Sequence, residues 1–425
     1  MTEAAFDLDR YLHAFYPGHA RLDDPARCER ATRMAKSAFP DLNISLNYTF
    51  IRSRRRHTEQ LPTSSGGVII IDDKLSALLL IHDTLLQAPS YLPDSGLALM
   101  MLPYAEAFQH EGAAERALLT ATMALERAPL LRGMQKFAAS LPGTSSIPLF
   151  LLLHEIAHFA VDTCQPFAQP RITDVRQSLA AQLDAVQGVS RRLDEGDALA
   201  DLDVSFGSGS SPERDTMASQ IKTYLDHVAG DEEVVREASC DFVALDGLMR
   251  LRLEDCRDQD GQMITGLTYR EFGDTLLIAL RGCRLLMGQE FLRQTVTNIV
   301  RAEDPSLVQK SFSHQTMRFN IITNLAFEVF EATVQSIDFS TPYRAGDPGQ
   351  GKDPVSLMKA GIRRLHALSA ERVFNPIEQI GLYHRDPERY RSGIREASMK
   401  HFGTRVPSPA EIQGAAEALI GQFPF

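Results

Sequence analysis

The most restrictive feature of this sequence is an apolar, helix-forming run that carries two histidines and a glutamate. Ser146 and Pro148 begin the run, which continues through three leucines into His154-Glu155-Ile156-Ala157-His158. Residues four apart lie on one face of a helix, so both imidazoles project to the same side. Burying these polar groups in an apolar helix is costly unless a metal ion or polar partners compensate them. The run therefore predicts a polar site built on a helix.

The spacing of these residues is typical of a zinc site. His154 and His158 can offer two ring nitrogens to one Zn²⁺, and Glu155 can act as general base toward a water molecule at the metal. The alternative is a chance match, because the pattern fixes few positions and unrelated helices also contain it. We expect Zn²⁺ as the cofactor and Glu155 as a catalytic residue.

A catalytic zinc ion needs a third protein ligand and an open position. A metzincin would have glycine and histidine where this chain has Val161 and Cys164, so that arrangement is excluded. Glu237, on an amphipathic helix downstream, is the better third ligand, and His227 is a weaker one. Asp241, four residues after Glu237 on the same face, would accept the free ring N–H of a ligand histidine. The alternative is that these carboxylates are surface charges.

At these residues the sequence resembles the gluzincin class of zinc peptidases, in which His-Glu-x-x-His is followed by Glu-x-x-x-Asp one or more helices later. The second element, Glu237 to Asp241 with Cys240 before the aspartate, is also similar to that of phage-exclusion peptidases of the Lit type, which cut a host protein after infection. The resemblance covers roughly residues 146–330. It implies a zincin-like metallopeptidase core.

A further segment, Ser313 to Arg318, resembles the Ser/Thr-His-Pro…Arg element of CAAX-prenyl-protease-like peptidases and their soluble relatives. This resemblance implies that His314 hydrogen-bonds the oxyanion of the tetrahedral intermediate and that Arg318 braces the site. Gln315 stands where the element usually has proline, and the arginine follows the histidine more closely than usual. A histidine that caps a following helix is the alternative.

Hydrophobic periodicity predicts a mainly α-helical chain with a small β component near the N-terminus. Strands are predicted at Ile44 to Phe50 and at Val68 to Ile71, and helices follow from residue 74 to residue 301 and near 355–370, 386–400 and 409–421. Two segments are typical of linkers, Asp194 to Arg214 and Ser340 to Asp353. We therefore expect an N-terminal α+β region over 1–140, a metallopeptidase core over 141–338 and a helical C-terminal extension over 339–425.

Charge and composition exclude several classes of protein. The chain has 44 Lys and Arg against 55 Asp and Glu, a formal net charge of -11, which argues against a general nucleic-acid binder. The longest apolar run, Leu97 to Ala105, is far shorter than the roughly 20 residues of a membrane-spanning helix. The N-terminus has no apolar signal region, and the 5 cysteines lack Cys-x-x-Cys spacing. We expect a soluble cytoplasmic protein, with the basic run Arg52 to His57 as a solvated loop.

These observations lead to the hypothesis of a zinc-dependent endopeptidase that cleaves a protein substrate. Gluzincin clefts commonly lay an extended peptide against an edge strand, and by analogy Val68 to Ile71 or Ile44 to Phe50 would bind the substrate. One alternative is a regulated defence or toxin protease that stays silent until a regulatory partner triggers it, with Asp194 to Arg214 as its lid. The other is a non-catalytic zinc-binding protein that binds partners.

Overall fold

The computed structural model describes residues 6–16, 18–42, 45–53, 55–63, 66–87, 93–127, 147–195, 214–254, 269–336 and 353–422. Over these residues the protein is mainly α-helical with one small sheet near the N-terminus, which confirms the predicted fold class at that level. The predicted linkers, Asp194 to Arg214 and Ser340 to Asp353, lie almost wholly outside the described residues.

The N-terminal part contains two helices and four strands: α1 (Leu8–Phe15), β1 (Ala20–Leu22), α2 (Pro25–Ala38), β2 (Leu46–Arg52), β3 (Glu59–Thr63) and β4 (Gly66–Asp72). Asp7 and Asp24 begin the two helices, because each side chain accepts a hydrogen bond from a backbone N–H of the first turn.

The sheet has the strand order β1-β2-β4-β3. β2 and β4 are parallel and internal, whereas β1 and β3 pair antiparallel at the two edges. The prediction that Ile44 to Phe50 or Val68 to Ile71 forms an edge strand is therefore wrong. β4 is almost entirely apolar and the middle of β2 is buried, as suits internal strands. β3 has polar residues and Pro62, which an edge strand tolerates because its outward N–H groups need no partner.

The central helices follow β4: α3 (Asp73–Gln87), α4 (Pro93–His110), α5 (Ala114–Glu126), α6 (Ile147–Thr163), α7 (Gln165–Glu195), α8 (Arg214–Val228), α9 (Glu232–Glu254), α10 (Tyr269–Arg301) and α11 (Ser306–Ser336). The C-terminal part contains α12 (Pro354–Ser369), a π-helical turn (Ala370–Phe374), α13 (Asn375–Arg385), α14 (Pro387–Phe402) and α15 (Pro409–Ile420). Most of these helices match the predicted segments. α11 and α13 were not predicted.

Helix α6 lies at the centre of the protein. It packs against α9, α10, α2, α3 and α7 and against β3 and β4, so its residues are buried almost all round. The C-terminal helices α14 and α15 pack on α5, and one apolar cluster extends from Ala31 in α2 to Ile420 in α15. The helix that carries the motif is thereby held from every side.

No single helix of the described part has both the length and the apolar character needed to cross a membrane. Only the pair α6 and α7, which meet at an angle of 105°, reaches that length and composition when the two helices are joined.

Candidate metal centre

The packing of α6 against α9 brings three side chains of the predicted site together. One ligand atom each of His154, His158 and Glu237 lies within 4.8 Å of the others. The two Nε2 atoms are 3.0 Å apart, and the Glu237 carboxylate oxygens lie 3.9 Å from His154 Nε2 and 3.7 Å from His158 Nε2. Ala238 and Ala244 on α9 are fully buried, and their small size suits close packing of the two helices. This group of three residues, the triad, has the donors and the spacing to hold a metal ion.

The other ring nitrogen of each histidine faces a buried partner on α9. His154 Nδ1 lies 3.0 Å from Asp241 Oδ1, and His158 Nδ1 lies 3.2 Å from Cys240 Sγ. Because a carboxylate can only accept, the Asp241 contact favours the proton of His154 on Nδ1 and leaves its Nε2 lone pair directed at the triad. The Cys240 contact holds the His158 ring in its orientation. The structure places Asp241 where a partner of a ligand histidine belongs.

Arg318 of α11 holds the carboxylates of the site in place. Its Nε and Nη2 donate to the two oxygens of Asp241, and its Nη1 lies 2.8 Å from Glu290 Oε2 and 3.3 Å from Glu237 Oε2. Arg318 and Asp241 are 2% and 0% exposed. Burial by itself raises the pKa of Asp241, but Arg318 and His154 together outweigh burial and hold that pKa well below its usual value.

In the remaining titratable groups of the site, burial outweighs the nearby positive charges. Burial raises the pKa of Glu155 to about 8 and that of Glu237 to about 7. Burial and the neighbouring His154 lower the pKa of His158 to about 2, so that ring stays neutral, as a metal ligand must. A divalent cation beside these two buried carboxylic groups would stabilise their ionised forms, and the neutral imidazole could bind it.

A cavity of about 380 Å³ lies in front of the triad. Its walls come from residues 57–60 at the start of β3 and from α6, α9, α10 and α11. Glu155, which is not one of the triad, lines the same cavity from its position next to His154. The carboxylate predicted to act as general base therefore borders the same space as the triad.

The structure places the Ser313 to Arg318 segment inside α11, so the alternative of a histidine capping a following helix is wrong. His314 lines the cavity, but its Nε2 lies 2.9 Å from the backbone oxygen of His227 and 3.2 Å from Asp231 Oδ2. His227 itself faces Ser313 Oγ at 3.1 Å and does not belong to the triad. The Nε2 hydrogen of His314 is thus engaged within the wall.

Several residues of the site carried no signal in the sequence. Cys240 was noted only as part of the motif, and Glu290 and Arg293 of α10 were not identified, because no motif marks them. The prediction that the basic run Arg52 to His57 is a solvated loop is wrong for Arg56 and His57. Arg56 is 5% exposed and paired with Glu106 of α4, and His57 lines the cavity.

No protein-family model matches this chain, and neither a curated protein nor a solved structure matches it. The resemblance to gluzincins therefore rests on the motif residues alone, and any inference of function depends on the geometry of the site.

Proposed function

We propose that this protein is a zinc-dependent endopeptidase with a zincin-like core. The observation that supports the proposal most is the convergence of His154, His158 and Glu237 on the wall of a cavity that Glu155 also lines. Two histidines and a glutamate are a ligand set of catalytic zinc sites in peptidases, where three protein ligands leave one position open for water or substrate.

The chemistry of the donors favours zinc over the other common ions. Two imidazole nitrogens and one carboxylate suit Zn²⁺, whereas Ca²⁺ and Mg²⁺ prefer ligand sets made only of oxygen. The contacts of His154 with Asp241 and of His158 with Cys240 orient both rings, which catalytic zinc sites require of their histidines.

The proposed reaction is the hydrolysis of a peptide bond by water. A bound Zn²⁺ supplies Lewis acidity, which polarises the scissile carbonyl and lowers the pKa of water. Glu155 takes the proton of the attacking water and delivers it to the leaving amine. Arg318 and Asp241 do not touch the substrate in this mechanism; they keep Glu237 and His154 in the orientation that binding requires.

We propose β3 as the strand that binds the substrate. Among the described strands β3 pairs only with β4, so its outer edge is free to pair with an extended peptide. Its first residues line the cavity, and β3 also packs against α6. A peptide bound to this edge would pass in front of the triad, which favours an internal cleavage site in a protein substrate.

The proposal is tested by measuring zinc content and cleavage of lysate proteins for the wild type and for Glu155→Gln, His158→Ala and Glu237→Ala. We expect one zinc ion per chain in the wild type and in Glu155→Gln, loss of zinc in the two ligand variants, and no cleavage by any of the three. Glu232→Ala is the matched control, because this carboxylate lies on α9 but its side chain is 71% exposed.

Each other outcome favours a different function. A wild type without zinc contradicts the proposal. Stoichiometric zinc without cleavage, even after addition of cell or phage lysate, favours the non-catalytic zinc-binding protein. Cleavage that begins only after such an addition favours the regulated protease.

A further inference from the structure

A second charged feature of the cavity is Arg293 of α10. It lines the same cavity as Glu155 and the triad. Its Nη1 lies 2.6 Å from Nδ1 of His57, at the start of β3. Within the part of the chain that the structure describes, no carboxylate forms an ion pair with this guanidinium.

The other two arginines of the cavity differ from Arg293 in this respect. Arg236 pairs with Asp162 at 2.9 Å, and Arg318 pairs with Asp241. The carboxylate nearest to His57, Glu59, accepts hydrogen bonds from Tyr11 and Tyr16 and stays 3.8 Å from the imidazole. Asp162, Asp241 and Glu59 therefore have partners other than Arg293, which has no carboxylate partner among the described residues.

His57 orients Arg293 without compensating its charge. Because Nη1 donates to Nδ1, that ring nitrogen must be unprotonated, and burial together with Arg293 holds the pKa of His57 well below its usual value. Burial also lowers the pKa of Arg293 itself. The charges of Glu290 and Glu155 act in the opposite direction, but among the described residues neither carboxylate forms an ion pair with Arg293. A ligand with an anionic oxygen in direct contact would relieve the cost of burying the guanidinium.

We propose that Arg293, positioned by His57, binds an anionic oxygen of the substrate beside the metal centre. The guanidinium has a planar fork of N–H donors, of which His57 takes only one, and this fork suits a carboxylate or an oxyanion. The identity of that oxygen rests on the proposed function. It is either the oxyanion that develops at the scissile carbonyl or a carboxylate of the bound peptide.

This assignment gives Arg293 a role that the resemblance implied for His314. The Nε2 of His314 already faces a backbone oxygen and Asp231. Arg293 has N–H donors that face the same cavity as Glu155, the proposed general base. Its positive charge lowers the pKa of Glu155 and so favours the ionised carboxylate.

The first experiment does not depend on zinc or on cleavage. Inorganic phosphate is titrated calorimetrically into the metal-free full-length protein at low ionic strength, with Arg293→Gln, Arg293→Lys and the control Arg301→Gln. Arg301 lies on the same helix, but its side chain is 61% exposed. We expect one phosphate site in the wild type and the control, binding weakened by about 10-fold or more in Arg293→Gln, and a smaller loss in Arg293→Lys, which keeps the charge.

Equal phosphate binding by wild type and Arg293→Gln, or no binding by either, overturns the proposal. Melting temperatures of all variants show whether a loss reflects unfolding. If the wild type binds phosphate through Arg293 but cleaves no peptide after loading with zinc, the anion site stands and the peptidase function fails.

A second experiment on the zinc-loaded protein separates the two sources of the anionic oxygen. Peptides from a fluorogenic library are used with a free or an amidated C-terminus. A fall in kcat on the order of 100-fold for all peptides in Arg293→Gln, with KM little changed, identifies the oxyanion. A rise in KM confined to peptides with a free carboxylate identifies that carboxylate. No change in either constant overturns the proposal for the substrate.

Discussion

Replacing Arg318 with glutamine removes the guanidinium that contacts both Asp241 and Glu237. Asp241 then remains buried without an arginine partner, and Glu237 keeps only Arg236, 3.2 Å away. At an effective dielectric constant of about 20, two unit charges roughly 4 Å apart interact by about 4 kcal/mol, and breaking a buried ion pair typically costs about 3–5 kcal/mol. His154, 3.0 Å from Asp241, can take up a proton and recover part of this loss. We therefore expect a loss of about 3 kcal/mol in the free energy of unfolding.

The assay is urea denaturation near neutral pH, followed by circular dichroism in the presence of a chelator, so that metal binding does not contribute. Arg236→Gln is the matched control. Arg236 pairs with Asp162 at 2.9 Å and lies 3.2 Å from Glu237 Oε1, but its own side chain is about one-third exposed, so the expected loss is about 1 kcal/mol or less. If Arg318→Gln costs no more than Arg236→Gln, the conclusion that Arg318 holds the buried carboxylates in place is wrong.

Two further predictions concern stability. Burial and Arg116 lower the pKa of His384 to about 3, so the unfolded chain binds a proton on acidification before the native state does, and stability falls as pH drops from about 6.5 toward 3. At pH 5 the loss in the free energy of unfolding from this group is about 2 kcal/mol. Urea denaturation at several pH values should therefore show a flatter dependence of the free energy of unfolding on pH for His384→Gln than for the wild type. Parallel pH dependences of the two proteins would contradict this prediction. Gly67→Ala would place a Cβ atom 2.6 Å from the Phe159 ring, and we expect a loss of about 1–3 kcal/mol in thermal denaturation. Gly188→Ala, with no atom within 4 Å, is the control and should be neutral or stabilising; equal effects of the two changes would refute the packing argument.

Local patterns in the sequence predicted most of the helices. The periodicity of α6 and the capping residues Ser408 and Pro409 act over a few residues, and the structure contains a helix at Ile147–Thr163 and a capping box at Ser408. α11 was not predicted, although Asp304 accepts a hydrogen bond from Ser306 N near its beginning. Packing against α10, α9 and α7 stabilises this helix.

The strand order could not be predicted in the same way. β2 and β4 were predicted as strands, but their parallel pairing passes over β3, which lies between them in the sequence and pairs antiparallel with β4. β3 was missed because Glu59 to Thr63 is short, polar and interrupted by proline. Its stability comes from pairing with β4 rather than from local propensity.

The sequence by itself determined which residues of α6 and α9 share a face, because helical periodicity depends only on spacing along the chain. His154 and His158 on one helix, and Glu237 and Asp241 on another, follow from that periodicity. Only the tertiary structure decided that the two faces meet, that Arg318 joins the carboxylates, and that Arg293 and His57 complete the opposite wall. These contacts connect residues far apart in the sequence, and the packing of the whole core brings them together.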